Sequence, residues 1–215
     1  MSVMVLTACN PDPTTGRPPA IDAPVAPFLS SVHTVGPGTE WPLTSSWRPG
    51  CPVGPENLRL VELTHWGYDG QVHAGRIVVH AWVVPAVIQA FSDLYAARFQ
   101  IQRMTPIDEF GGDDHASMAA NNTSAFNCRT VAGTSSLSEH ASGLAIDLNP
   151  IQNPYVVKGS VDPPAGRGWL DRRFETPGLV RAGDVVVRSF AAAGFRWGGS
   201  WTGAKDYQHF STSGR

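Results

Sequence analysis

A carboxylate set inside an apolar strand limits what this chain can become. Residues 144–148 read Leu-Ala-Ile-Asp-Leu, which places Asp147 in a run that belongs in a core. Burying an ionised carboxylate is costly unless a hydrogen-bond donor, a cation or a metal ion compensates it. The fold therefore has to bring such a group to Asp147. His140 stands seven residues earlier, beyond Gly143, in the stretch SEHASGLAID. Far along the chain, KDYQHF (205–210) places Asp206 and His209 three apart. His140 and Asp147 alone would more often be a hydrogen-bonded pair. With His209 they make a two-histidine, one-carboxylate set, which suits a catalytic zinc with three protein ligands and one open position. Asp206, close to a ligand but not needed as one, is then placed to serve as general base.

The rest of the chain suits a single domain with long connections. Of 215 residues 42% are hydrophobic and only 16% charged, against roughly 25% in typical soluble domains. The 22 glycines and 18 prolines favour short elements joined by turns. A net charge of -2 offers no basic footprint for nucleic acid. No apolar run approaches the roughly 20 residues of a membrane span. Residues 1–50, rich in Pro, Thr, Ser and Gly from residue 10 onward, are expected as an N-terminal tether or extended segment, with the domain over 51–215.

Alternation predicts strands over 58–70 and 76–83. Val87, Ile88, Phe91, Leu94 and Tyr95 fall at helical spacing, predicting a helix over 85–98. FQIQRMTPI reads as another strand, 110–124 as a long functional loop, and 124–131 and 143–148 as short strands. An irregular, proline-rich stretch follows. A helix over 184–194 has Asp184 at its start and Gly194 at its end. Aromatic-rich strands, GFRWGGSW and DYQHF, close the chain. Strands and helices mix without regular β-α-β alternation, so the class is α+β.

Ser138, His140, Gly143, Ala145 and Asp147 spell S-x-H-x-x-G-x-A-x-D, and Asp206 with His209 spells D-x-x-H. Two motifs in this order resemble the LAS zinc peptidases. These are the D-alanyl-D-alanine carboxypeptidases and L-alanyl-D-glutamate endopeptidases that cut peptidoglycan stem peptides, with hedgehog as a fold relative. NNTSAFNCR, AIDLNPIQNPY and GFRWGGSW add a likeness to the exported, VanY-like carboxypeptidase branch. The resemblance covers roughly residues 58–215. It implies a hedgehog/DD-peptidase-like α+β fold: a central, mainly antiparallel sheet flanked by helices, with the zinc site on the sheet.

The resemblance further implies zinc on His140, Asp147 and His209, Asp206 as the base, and either carboxypeptidase or endopeptidase action. The acid of the last motif is Glu in the vancomycin-resistance dipeptidases. Here it is the shorter Asp206, as in the endopeptidase branch, which leaves the bond that is cut open. The family's upstream substrate arginine maps onto Arg129, with Arg103 as the alternative. Lys205 and Arg196 are candidates for meeting a terminal carboxylate. Ser138 either orients a ligand through a hydrogen bond or caps a turn. His33, His65, His73, His80 and His115 complete no ligand set, and Trp197, Trp201 and Tyr207 either line a groove or belong to the core. The competing reading is a wall-binding module that keeps zinc and has lost catalysis. The intact Asp206 argues against it, since a structural site needs no acid there.

The cysteines Cys9, Cys51 and Cys128 show no C-x-x-C spacing. Cys9 closes LTAC, which resembles the lipobox of bacterial lipoproteins. Only eight residues precede it, so either the true start lies upstream of Met1 or the match is chance. With Cys9 taken by lipid, Cys51 and Cys128 remain for a disulfide, which suits an exported protein. Two unpaired thiols are the alternative. The expectation is a bacterial monomer in the cell envelope or outside the cell.

Overall fold

The computed structural model describes residues 26–215. The lipid-anchor expectation at Cys9 lies outside them. Ser30–Thr34 (β1), Leu58–Trp66 (β2) and Val72–His80 (β3) form an antiparallel sheet in the order β1-β2-β3. The β2–β3 turn passes through Gly70 at φ 72°. β3 ends at His80, short of the expected 83, because the His80 ring caps a helical turn by accepting from Trp82 N at 3.1 Å. That turn runs into helix α1, Val84–Ala96. Its Val87, Ala90, Phe91 and Leu94 are buried, the i, i+3, i+4, i+7 stripe that a helix lays on a core.

Residues 30–50, read from the sequence as tether or extended segment, lie along this sheet and pack on it. β1 pairs with β2, and Val35 and Val53 join Leu58, Leu60, Val78, Phe126 and Cys128 in a second core, flanked by Trp41, Leu43 and Trp47. The packed unit thus begins N-terminal to residue 51. Cys51 and Cys128 are joined, 77 residues apart, which ties this wrap to the segment leading into His140. Closing so long a loop restricts the unfolded chain. Cys51→Ser is expected to lower the unfolding free energy by about 2–5 kcal/mol. Urea titration reads this directly, and an unchanged midpoint would remove the bridge from the stability account.

The middle of the chain differs most from expectation. FQIQRMTPI keeps only a two-residue strand, Arg103–Met104 (β4), because Ile101 instead donates its backbone N–H to Trp66 O. The expected 110–124 loop contains a helix, Asp114–Ala119 (α2), capped by Asp113 Oδ1 accepting from Ala116 N at 3.1 Å. Six residues are too few to show a periodicity. Asn122–Thr123 (β5) pairs in parallel with β4. Residues 124–131 make only isolated bridges at Ser124 and Thr130 and form no continuous strand: Phe126 N donates to Val78 O and Cys128 N to Ser46 O.

Ala145–Asp147 (β6) is followed by a hairpin, Tyr155–Val157 (β7) and Ser160–Asp162 (β8). The hairpin turns at Lys158 and Gly159, both with positive φ. Helix α3, Val185–Ala192, is capped by Asp184 Oδ1 accepting from Val187 N at 2.9 Å. Arg196–Trp197 (β9), Lys205–Asp206 (β10) and His209–Ser211 (β11) complete the described chain. The antiparallel pairing is therefore spread over three three-stranded sheets, β1-β2-β3, β10-β7-β8 and β6-β11-β9, plus the parallel β4–β5 pair. Among the described residues no helix is long and apolar enough to cross a membrane.

The β6-β11-β9 sheet positions the site. Its register sets His209 opposite Asp147 and Phe210 opposite Ile146. Side chains alternate across a strand. Ile146, Leu148 and Phe210 therefore enter the main core, where Phe210 stacks on Phe190 of α3 with ring centroids 4.5 Å apart. Asp147 and His209 share the opposite face. This is how an apolar run accommodates a carboxylate.

Candidate metal centre

The first motif folds as a capped turn feeding a strand. Ser138 Oγ accepts from His140 N at 3.3 Å, so Ser138 fixes the backbone of His140 rather than its ring. The turn Glu139–Ser142 closes at Gly143, φ 67°. A Cβ at Gly143 would stand 2.7 Å from His80 N, which explains the glycine: Gly143 O accepts from that same N–H at 2.9 Å and docks the turn on the end of β3.

His140, Asp147 and His209 are 3%, 6% and 6% exposed. His140 Nε2 lies 3.2 Å from Asp147 Oδ2, His209 Nδ1 lies 3.0 Å from Asp147 Oδ1, and the two ring nitrogens are 3.3 Å apart. The outer nitrogens are committed. His140 Nδ1 donates to Ala125 O at 2.6 Å and His209 Nε2 to Arg215 O at 2.9 Å. Both inner nitrogens consequently turn lone pairs toward an anionic carboxylate, and only a proton or a cation can reconcile three acceptors so close together. The three residues could hold a metal ion. Tetrahedral bonds of about 2.0–2.1 Å place neighbouring donors roughly 3.3–3.4 Å apart, close to the separations found here. The donor set fits.

Charge in this cluster is finely balanced. Burial alone would raise Asp147, but the charges and hydrogen bonds of His140 and His209 outweigh it and hold its carboxyl well below the usual range. Burial likewise works against protonation of His209, yet the hydrogen bond and charge of Asp147 raise it to about 9. At neutral pH the metal-free site therefore keeps a proton on His209, which an entering ion must displace. A group with a raised pKa holds its proton below that value, so apparent metal affinity is expected to climb by about tenfold per pH unit toward pH 9 and then level. Competition with a chromophoric chelator at stepped pH tests this, and a flat profile from pH 6.5 to 9 would contradict it.

Asp206 stands beside these three. β10 carries it, paired opposite Tyr155 of β7. The glycines of GFRWGGSW allow the approach, since a Cβ on Gly198 would meet Asp206 O at 2.7 Å and Asp206 Cβ at 2.9 Å. Asp206 is partly exposed, but its Oδ1 is sealed from solvent and has no hydrogen-bond partner. Burial raises its pKa to about 7, with the charge of Asp147 adding and the two histidines opposing.

The other sequence candidates are not among the metal-capable donors. Arg129 forms an ion pair with Asp114 of α2 at 2.7 Å and donates to Thr130 O. None of its hydrogen bonds or ion pairs reaches His140, Asp147, Asp206 or His209. Arg103 and Arg196 are exposed, and Lys205 Nζ donates to Trp201 O at 2.5 Å. Trp197 belongs to the core, Tyr207 packs against it, and Trp201 lies beside the centre, its ring 5.7 Å from that of His209.

Sequence reasoning missed the carbonyls of Ala125 and Arg215, which carry no side-chain signal. It also missed Arg172, whose guanidinium lies 4.5 Å over the Tyr207 ring. Arg172 donates to Gln152 O, Trp169 O and Asn153 Oδ1, pinning the irregular 149–181 stretch to the segment that bears Asp206. Burial lowers its pKa to about 10, so it remains a cation at neutral pH.

Residues 132–212 match the family described as D-alanyl-D-alanine carboxypeptidase. The span contains His140, Asp147, Asp206 and His209, and supports a hydrolase acting on peptides. Arg129 and the Cys51–Cys128 bridge lie outside it. No curated protein and no solved structure matches the chain.

Proposed function

We propose that this protein is an LAS-type zinc peptidase with the hedgehog/DD-peptidase fold, hydrolysing stem peptides of peptidoglycan outside the cytoplasm. The observation that carries the reading is the buried set His140–Asp147–His209, both outer ring nitrogens spent on backbone carbonyls, with the unpartnered Asp206 carboxylate alongside. Three protein donors rather than four favour a catalytic centre over a structural one. The family match over 132–212 supports the substrate class, and the Cys51–Cys128 bridge supports export.

Zinc held by His140, Asp147 and His209 would supply a Lewis acid for the scissile carbonyl and lower the pKa of water toward about 7. The chain's own residues do the rest. Ala125 O and Arg215 O keep the two rings in the tautomers that present Nε2 of His140 and Nδ1 of His209 inward. Asp206 takes the proton of the attacking water and returns it to the departing amine. Arg129, steadied by Asp114, offers its remaining donors to a substrate carbonyl or carboxylate.

Elemental analysis of the purified protein, paired with mass spectrometry of stem peptides incubated with it, tests the reading. Stoichiometric zinc and a new fragment are expected. Loss of a terminal D-Ala identifies a carboxypeptidase, and cleavage between L-Ala and D-Glu an endopeptidase. Zinc without cleavage of any stem peptide would refute catalysis and leave the wall-binding module.

A further inference from the structure

The two histidines of the metal-capable set reach their outer acceptors by different means. His140 Nδ1 donates to Ala125 O, and the chain around Ala125 is already held by Phe126 N on Val78 O and by the Ser124–Asp147 bridge. His209 Nε2 donates to Arg215 O at 2.9 Å. Arg215 lies past the end of β11, outside any strand. Backbone pairing does not place that oxygen, so side chains have to.

Ser211 and Trp201 do this. Residues alternate across a strand, so Ser211 shares the face of β11 that carries His209, and it is buried opposite Ala145. Its Oγ donates to Arg215 O at 2.8 Å and accepts from Gly214 N at 3.1 Å. One hydroxyl thus closes the Ser211–Arg215 turn with both its donor and an acceptor site. Trp201 Nε1 donates to Gly214 O at 2.9 Å, from a ring 5.7 Å from that of His209. The turn is tight: Gly214 has φ 80°, and a Cβ there would meet Arg196 Cδ at 2.7 Å. Arg215 O therefore receives both Ser211 Oγ and His209 Nε2, and the residue before it is pinned by the indole. Alanine at position 211 would strand the Gly214 N–H and take one donor from Arg215 O, which is costly away from water.

We propose that Ser211 and Trp201 are positioning residues for a metal ligand: together they set Arg215 O against His209 Nε2 and keep Nδ1 of that ring turned toward Asp147 and His140. The proposal rests on the reading of His209 as a ligand, and is independent of which peptide bond is cut.

Partners behind a ligating histidine govern about 10- to 100-fold in metal affinity. Ser211→Ala is expected to weaken zinc binding by about 10-fold or more, read by competition with a chromophoric chelator. Trp201→Phe, which removes the N–H and keeps an aromatic ring, should act in the same direction, and carries the test if Ser211→Ala does not fold. The readout specific to positioning is the ring N–H itself. In 15N-labelled, zinc-loaded protein the His209 Nε2–H signal, assigned through its own ring correlations, should shift and exchange faster with solvent in both variants. The His140 Nδ1–H signal, held by Ala125 O, should stay in place. An affinity within about twofold of the unsubstituted protein, against the 10-fold scale above, or an unmoved His209 signal would overturn the proposal. Equal movement of both ring signals would do the same, because it marks a general loosening. If the unsubstituted protein takes up no zinc, the metal-centre reading itself fails. The same ring signals in metal-free protein would then still decide whether Ser211 and Trp201 hold Arg215 O on His209.

Discussion

Replacing His209 with alanine should abolish both stoichiometric zinc binding and hydrolysis. His209 contributes one of three inward donors and stands directly opposite Asp147 in the β6–β11 register. Two donors remain, and their geometry no longer closes around an ion. The loss reaches beyond the metal. In the metal-free protein His209 is the protonated partner of a buried carboxylate, and breaking a buried pair on one side costs about 3–5 kcal/mol. Metal analysis, turnover of stem peptides and urea unfolding should therefore all move together. A variant that kept its full complement of zinc would show that the ligand set has been wrongly assigned.

Asp206→Asn separates metal binding from proton transfer. Asparagine has nearly the same shape, and the three donors are untouched, so zinc content should stay stoichiometric. Turnover should fall by at least about 10²-fold, the scale of losing a general base. The raised pKa of Asp206 belongs to the metal-free protein. A cation among the neighbouring donors pulls it down, so the loaded enzyme holds Asp206 ionised and ready to accept a proton near neutral pH. Near-normal turnover in Asp206→Asn would transfer the base role to another group.

These two expectations rest on different kinds of information. His140, Gly143 and Asp147 lie within one short stretch, where a capped turn delivers a histidine and the following strand delivers a carboxylate. Spacing along the chain is nearly spacing in space there, so residue order carries the geometry. The hairpin of β2 and β3 and the helices α1 and α3 were legible for the same reason: their apolar stripes repeat over enough residues to be recognised. Helix α2 and the two-residue strand β5 were not, because elements so short are made by caps and neighbours instead of by periodicity. The wrap over 30–50 was legible as extended, but its pairing with β2 was not, since an edge strand that is mostly exposed carries little apolar alternation.

What lies in the amino-acid order is the chemistry available: two imidazoles, a carboxylate inside an apolar run, and an acid three residues ahead of the last ligand. What required the folded chain is their convergence. Asp147 and His209, 62 residues apart, become a cross-strand pair through the backbone ladder of β6 and β11. The carbonyls of Ala125 and Arg215, groups that every residue possesses, set the tautomers. Asp114 claims Arg129, and Cys51 meets Cys128 across 77 residues. Each of these contacts joins segments distant along the chain through groups with no local pattern, and only packing selects which of them meet.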